Sequence, residues 1–345
     1  MPFSAILGQE TARAALTTAL ASDAVPQAYL FVGPEGVGKT TVALLLAHAL
    51  FGGGALHRKR IEENVHPDLT RIAPDGELTR IWQIWSRSGH PPGALENLSY
   101  APVTAPKRVY LLERAETLND ESANSLLKAL EEPPPYVNFI LCAPSVTSVL
   151  PTVLSRCQVV RFTPLAREVI EAALRTRYGL SDLEARTLAA YAEGAPGKAF
   201  RMAEAPELRE HRATLLDLAH RIALSPPIAA FRLAEDLRKA AAPPKAKKGD
   251  DDEADKSSRG DLGRSLDVLA AWYGDLLQLS LRGPDAPLIH ADRRVQAREA
   301  ASKYRPEQLA QSLEALFKFR RHLAHNANAQ LATEVLLMKL APGAP

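Results

Sequence analysis

The apolar positions along the chain change their period once. Up to about residue 163, short unbroken apolar runs alternate with stretches whose apolar positions recur every three to four residues. Four runs read as buried strands: 29–32, 109–112, 137–142, with Phe139, Ile140 and Leu141 at its centre, and 159–162. Residues 8–21 and 39–51 read as helices, and the almost wholly apolar middle of the second predicts burial. Short apolar strands separated by helices predict a parallel sheet with helices on both faces. From Leu165 onward the strand signals vanish, and helical patterns follow one another to about residue 241. The segment 241–261 then carries Pro243, Pro244, Lys245, Lys247, Lys248 and the acidic run Asp250, Asp251, Asp252, Glu253, with no aromatic or large apolar residue. Such a segment cannot bury enough surface to offset its ordering entropy, so a disordered linker or surface insertion is expected there. Beyond it, 262–281, 305–324 and 327–340 read as amphipathic helices.

Composition narrows the picture only slightly. A chain of 345 residues is too long for one ordinary core and predicts two or three domains. With 46% hydrophobic and 24% charged residues it reads as globular, and no apolar run reaches bilayer length. Residues 1–10 have neither the basic start nor the apolar core of a signal peptide, so a cytoplasmic location is expected. The net charge of +2 is too small to argue for nucleic acid. Cys142 and Cys157 cannot form a four-cysteine zinc site and read as small buried residues.

One motif carries chemistry. Gly33-Pro34-Glu35-Gly36-Val37-Gly38-Lys39-Thr40 fits G-x-x-x-x-G-K-S/T in full, between a predicted strand and a predicted helix. The glycines let backbone N–H groups turn inward around phosphates, and the helix N-terminus adds partial positive charge. The expected nucleotide-binding residues are Gly33, Pro34, Gly36, Val37, Gly38, Lys39, Thr40 and Thr41. Lys39 would reach the outer phosphates, and the Thr40 hydroxyl would ligate Mg²⁺. ATP or ADP with Mg is therefore the expected cofactor.

Several runs together resemble the clamp-loader branch of the AAA+ family. They are Ile6-Leu7-Gly8-Gln9-Glu10, Gln27-Ala28-Tyr29-Leu30-Phe31, Ser122-Ala123-Asn124-Ser125-Leu126-Leu127-Lys128-Ala129-Leu130-Glu131-Glu132-Pro133-Pro134, Leu154-Ser155-Arg156-Cys157, and Asn328-Ala329-Gln330-Leu331-Ala332 near the end. The likeness is dense over 1–163 and thin afterwards. It implies an α/β AAA+ domain over 1–163, an all-helical lid over 164–220 and an all-helical collar over 221–345. Residues 305–324, with Leu309, Leu313, Leu316 and Phe317 along one face, would bury part of that face against neighbouring subunits. The implied assembly is a five-subunit arc with gamma/tau and delta subunits of DNA polymerase III, loading a sliding clamp onto primed DNA. The resemblance also implies that Arg156 acts in trans, on the γ-phosphate held by the next subunit. In the run itself, Asn119 reads as the N-cap of the helix 120–132, which Pro133-Pro134-Pro135 ends.

The chain also departs from an active family motor. Registered on 122–134, Glu113 takes the place of a metal-supporting aspartate and Arg114 that of the water-activating glutamate. A guanidinium stays protonated and cannot be a general base. Glu116, two residues on, is expected to point elsewhere. The strand end Cys142-Ala143-Pro144-Ser145 lacks a γ-phosphate sensor. Gly197 stands where a sensor arginine is expected, with Lys198 adjacent. The stretch 51–66 holds no cysteine where the family often carries a zinc module, so no zinc is expected, and its basic cluster His57-Arg58-Lys59-Arg60 reads as a solvated loop. Nucleotide binding with weak or absent turnover is the resulting expectation. The alternatives are an active motor of the gamma/tau type and a self-assembled helicase or remodelling ring. A chain that gives a finger without hydrolysing fits a hetero-oligomer better.

Overall fold

The four apolar runs are strands, and a fifth strand joins them. In the computed structural model, which describes residues 3–74, 78–241, 251–323 and 329–342, β1 (Ala28–Val32), β2 (Leu69–Ile72), β3 (Arg108–Leu112), β4 (Val137–Ala143) and β5 (Gln158–Arg161) pair in parallel in the order β2-β3-β4-β1-β5. The three central strands β1, β3 and β4 are buried along their whole length, as a sheet covered on both faces requires. Sequence pattern missed β2. It is an edge strand whose Thr70 and Arg71 interrupt the apolar run, and only Ile72 is buried.

Alternate strand residues serve two cores. Phe31, Val109 and Ile140 pack with Val42 and Leu46 on one face, and Leu30, Tyr110 and Leu141 pack with Leu126 and Leu130 on the other. The helices of this part are α1 (Glu10–Ala21), α2 (Lys39–Leu50), α3 (Ala55–Glu62), α4 (Ile81–Ile84), α5 (Asp120–Glu131) and α6 (Pro151–Leu154). Asn119 does cap α5, its side-chain oxygen accepting from the Ser122 N–H at 2.8 Å. Pairing sets Leu112 beside Leu141 and Val32 beside Ala143. The carboxyl ends of β3, β4 and β1 therefore lie level, at the edge where open α/β sheets take their ligands.

The stretch expected as a solvated basic loop is instead the helix α3. Its Arg58 and Lys59 face Glu62 and Glu63 one turn on, and all four stay largely in water. The pattern was hidden because α3 is mostly polar and leans on the rest through few residues, Ile61 among them. A histidine pair fixes it: the ring nitrogens His57 Nδ1 and His66 Nε2 are 2.7 Å apart, and the His66 ring stacks on Phe51 at 4.2 Å. The Asp68 N–H donates to His66 Nδ1 at 3.1 Å, so His66 carries its proton on Nε2 and gives it to His57. The fully buried Asp68 carboxylate in turn accepts from the N–H groups of Val103, Thr104 and Ala105 and from the Thr104 hydroxyl.

The chain divides into two compact units, 1–170 with 193–198, and 171–192 with 199–345. The described residues of the second are helical: α8 (Asp182–Ala192), α10 (Pro206–Leu224), α11 (Ala230–Ala241), α12 (Asp251–Arg282), α13 (Arg294–Ala301), α14 (Pro306–Leu323) and α15 (Ala329–Leu340), while α7 (Arg167–Tyr178) and α9 (Pro196–Glu204) run through the points of division. Trp272 and Tyr273 of α12 centre its core, with Leu237, Leu269 and Leu309 around them. The hydroxyls of Tyr273 and Tyr304 both donate to the Leu340 carbonyl, at 2.9 and 2.7 Å, and so satisfy the end of α15.

One expectation changes here and one is narrowed. Residues 242–250 of the expected linker lie outside the described residues, but the backbone is helical from Asp251, ten residues before the break was expected to end. Composition counts only burial, whereas a helix nucleated by the buried Leu262, Leu266 and Leu269 extends at little cost into a polar segment. On α14, Leu309 and Leu316 belong to the unit's own core rather than to a neighbour, and only Phe317 of that face is exposed, at 54%.

Candidate functional site

The turn after β1 is built around positive backbone angles. Gly36 and Gly38 have φ of 83° and 104°, which L-residues with a side chain rarely adopt. At Gly33 the reason is space: a Cβ there would lie 2.4 Å from the carbonyl oxygen of Phe162, just after β5. At Gly38 a Cβ would meet nothing within 4 Å, so the loop is open on that side. Val37 is buried and anchors the turn, Pro34 is exposed at its tip, and Thr41 is exposed on the first turn of α2.

Lys39 begins α2 and curls back over the loop. Its ammonium donates to the carbonyls of Gly33 at 2.5 Å and Pro34 at 2.8 Å. Burial lowers its pKa from the ordinary lysine value, and Cys142, Glu116 and Glu35 oppose that shift. The Thr40 hydroxyl interacts with Cys142, whose thiol is pushed up to about 12 by burial. Cys142 is buried as expected, while Cys157 is only partly so. The open face at Gly38, the inward-turned glycine backbone and a cation at the mouth fit a phosphate group, with Thr40 the hydroxyl nearest to hand for its metal.

Two supports escaped the sequence reading. The buried Gln9 side chain donates to the carbonyls of Thr163 at 2.7 Å and Val37 at 3.3 Å, and accepts from the Thr163 N–H at 3.1 Å. It thus ties the loop to the end of β5. Gly197 donates its N–H to the Gly36 carbonyl at 2.9 Å, and a Cβ at 197 would stand 3.0 Å from that oxygen. Glycine at 197 is therefore a matter of backbone approach as well as of a missing arginine. Lys198 packs its side chain beside Gly36 and is the cation this segment brings to the loop.

The acidic side of the site is arranged differently. Glu113, directly after β3, is engaged by Arg71 of β2, with Nε at 2.6 Å and the terminal nitrogen at 2.5 Å. Arg114 points into solvent and pairs with Glu116 at 3.2 Å. Glu116, expected to point elsewhere, lies within electrostatic reach of Lys39 and Cys142. It sits in the 3-10 turn Ala115–Thr117, which the Thr117 N–H and hydroxyl close on the Arg114 carbonyl at 3.0 and 2.6 Å.

Arg156 follows α6. It donates to the Thr152 carbonyl at 2.8 Å and to the Ser155 hydroxyl at 3.2 Å, and its other terminal nitrogen contacts the Glu131 carboxylate at the end of α5. These partners lie outside the phosphate loop, and the arginine is one-third exposed. Gln27 links the same region to β1, donating to the carbonyls of Pro133 and Pro134. The three recurring runs around Gln27, Glu131 and Arg156 are thus one contact network. Among the described residues no three His, Cys, Asp or Glu gather as a metal cluster, and no helix is long and apolar enough to cross a membrane.

Comparison with known proteins gives consistent matches. Residues 8–166 match the family described as DNA polymerase III, delta subunit. DNA polymerase III subunit delta' of Bacillus subtilis is 29% identical over 336 residues, covering 95% of this chain and 94% of that protein. The gamma/tau subunit of Mycoplasma genitalium is 34% identical over 172 residues, which is 49% of this chain but only 28% of the relative. Among solved structures, a gamma subunit-related protein from Thermotoga maritima aligns with a TM-score of 0.48 and 17% identity, covering 93% and 97% of the two chains.

Proposed function

We propose that the chain, which is similar over nearly its whole length to a DNA polymerase III delta' subunit, is a clamp-loader subunit of that kind and works as a stator: it binds ATP or ADP with Mg at its phosphate loop, turns over little or none of it, and supplies Arg156 to the nucleotide of a neighbouring gamma/tau subunit. The neighbours of the arc are gamma/tau and delta subunits, and the arc loads a sliding clamp on primed DNA. Within this chain, Gly33 to Thr40 would wrap the phosphates, and Mg would be held through the Thr40 hydroxyl.

The observation that carries the reading is the mismatch between the two sides of one site. The positive φ angles of Gly36 and Gly38 and the lysine held at the loop support phosphate binding there. Opposite it, the position for a general base holds Arg114, which cannot accept a proton, and Glu113 is committed to Arg71. The finger reading is supported by the setting of Arg156: surface-accessible, remote from the chain's own loop, and oriented by Glu131. A guanidinium brought in trans offsets charge on a transferring phosphoryl group and is worth on the order of 10³–10⁵ in rate in GTPases.

The test is reconstitution with gamma/tau and delta subunits. Arg156→Ala is expected to leave assembly intact and to cut turnover at the site it faces, seen as a fall in clamp-stimulated ATP hydrolysis. Unchanged hydrolysis by the assembled variant would remove the finger role. The isolated chain is expected to retain Mg-ATP on a filter without releasing phosphate.

A further inference from the structure

Residue 9 is held in a backbone conformation that its type rarely takes. Gln9 has φ 58° and ψ 38°, in the left-handed region, directly after Gly8 at φ 62°. A glutamine persists there only where its surroundings over-determine it, and such residues gather at functional places. Here the side chain does the holding. It is buried, and it makes no cap for α1, the helix it precedes. Its amide instead clasps the backbone of one distant residue, donating to the Thr163 carbonyl at 2.7 Å and accepting from the Thr163 N–H at 3.1 Å. The same Nε2 also donates to the Val37 carbonyl at 3.3 Å, inside the phosphate loop. A second tie reaches the neighbouring peptide: the Gly197 N–H donates to the Gly36 carbonyl at 2.9 Å. Both ties belong to one compact unit, which the chain leaves after Ile170 and re-enters at Glu193. In a trans peptide the N–H points away from the C=O. Fixing the carbonyls of Gly36 and Val37 therefore aims the N–H groups of Val37 and Gly38 the other way, and at Gly38 the loop is open.

We propose that Gln9 is a positioning residue for the nucleotide: by holding the Val37 carbonyl it aims the Gly38 N–H at a bound phosphate, and by the same amide it links the occupancy of the loop to Thr163. The inference rests on the reading of the loop as a nucleotide site, and it names the side chain that prepares that site without touching the ligand. The link is carried by one peptide group. A phosphate that accepts from the Gly38 N–H polarises the peptide and strengthens the bond that its carbonyl, that of Val37, accepts from Gln9. The Gln9 amide is then held more firmly, and with it both of its bonds to Thr163. Coupling between two places is reciprocal, so the Thr163 clasp favours nucleotide by the same factor that nucleotide favours the clasp. The Gly197 tie does not pass through Gln9, so one tie can be cut while the other is read.

The experiment uses the full-length chain, a fluorescent ADP analogue with Mg²⁺, and amide hydrogen exchange at Thr163 and Gly197 measured with and without saturating Mg-ADP. In the wild type, nucleotide is expected to slow exchange at both amides. Gln9→Asn keeps the amide and suits the left-handed backbone, but it is one methylene too short to span Val37 and Thr163 together. It is expected to raise the Kd for the analogue by about two- to thirtyfold, the range over which a residue along a coupling network acts. At saturating nucleotide its Thr163 exchange should no longer respond, while its Gly197 exchange still slows. Gln9→Met, which fills the space without an amide, should show the same pattern and serves should the asparagine variant fail to fold. An unchanged Kd, or a Thr163 response that survives in the variants, would overturn the proposal. So would a response lost at Gly197 as well, or two variants that do not fold, since either marks Gln9 as a general support of the unit. A wild type that binds Mg-ADP without slowing Thr163 sinks the link while leaving the nucleotide site standing. A wild type that does not bind the analogue fails at the nucleotide site itself, a different and recognisable result.

Discussion

The two walls of the candidate site are made of different material. The loop wall is backbone: three glycines in or near the left-handed region, a helix N-terminus, and carbonyls that already hold Lys39. The acid wall is side chains: Glu113, Arg114 and Glu116, each with a partner it can lose or change. A backbone cradle tolerates drift in sequence so long as its glycines remain, whereas side-chain chemistry is altered by one substitution. A site can thus keep the means to grip phosphate and lose the means to hydrolyse it.

The largest effect should come from breaking the scaffold beneath the acid wall. Asp68 holds residues 103–105 by four hydrogen bonds and faces the buried Arg108. Asp68→Ala strands that charge and is expected to destabilise the fold by about 3–5 kcal/mol, measured by urea denaturation. The same group predicts acid sensitivity. Burial alone would raise the Asp68 pKa, but its hydrogen bonds outweigh burial and hold it below the ordinary 3.8. Its contribution is complete above that value and is lost as pH falls through the lower folded value. Thermal stability should therefore fall more steeply below pH 3.8 in the wild type than in Asp68→Asn.

Next comes the loop wall. Lys39→Ala removes the loop's cation, and losing one partner of a buried charge contact costs about 2–5 kcal/mol, or roughly thirtyfold or more in Kd for the nucleotide. Loading by the reconstituted assembly should barely change. A crippled loader would show that the acid wall is not silent and that the contrast drawn above is wrong. Gly38→Ala is expected to weaken nucleotide binding with no steric clash to explain it, through about 1–3 kcal/mol of backbone strain. The smallest effect on the chain alone belongs to Glu131→Gln, since a partly exposed ion pair is worth about 0–1 kcal/mol. In the assembled loader it should still slow hydrolysis, because Arg156 loses the group that orients it.

Much of the loop wall was legible in the sequence, since a phosphate loop is a spacing of glycines flanked by a strand and a helix. The strands β1, β3 and β4 were equally plain, because burial on both faces leaves an unbroken apolar run. What stayed hidden depends on partners far along the chain. Gln9 looks like any polar residue at the start of a helix until Thr163 arrives beside it. Strand β2 is polar on one side because it is an edge. The electrostatic reach of Glu116 to Lys39 depends on the turn at 115–117, which a pattern of apolar runs does not show. Helix α3 was missed because a histidine pair and an aromatic stack hold it, rather than an apolar stripe.

The amide of Gln9 bridges 154 positions of sequence to reach Thr163, and β1 lies between β4 and β5, both of which are made long after it. A ribosome adding about 5–20 residues per second needs roughly eight to thirty seconds to cover that distance. Throughout that interval Tyr29, Leu30 and Phe31 have emerged with no strand on either side to cover them. The nascent chain therefore presents a wholly apolar strand to the cell well before the loop after it can take shape, and a chaperone that recognises short extended apolar segments would find its first binding site on this protein there.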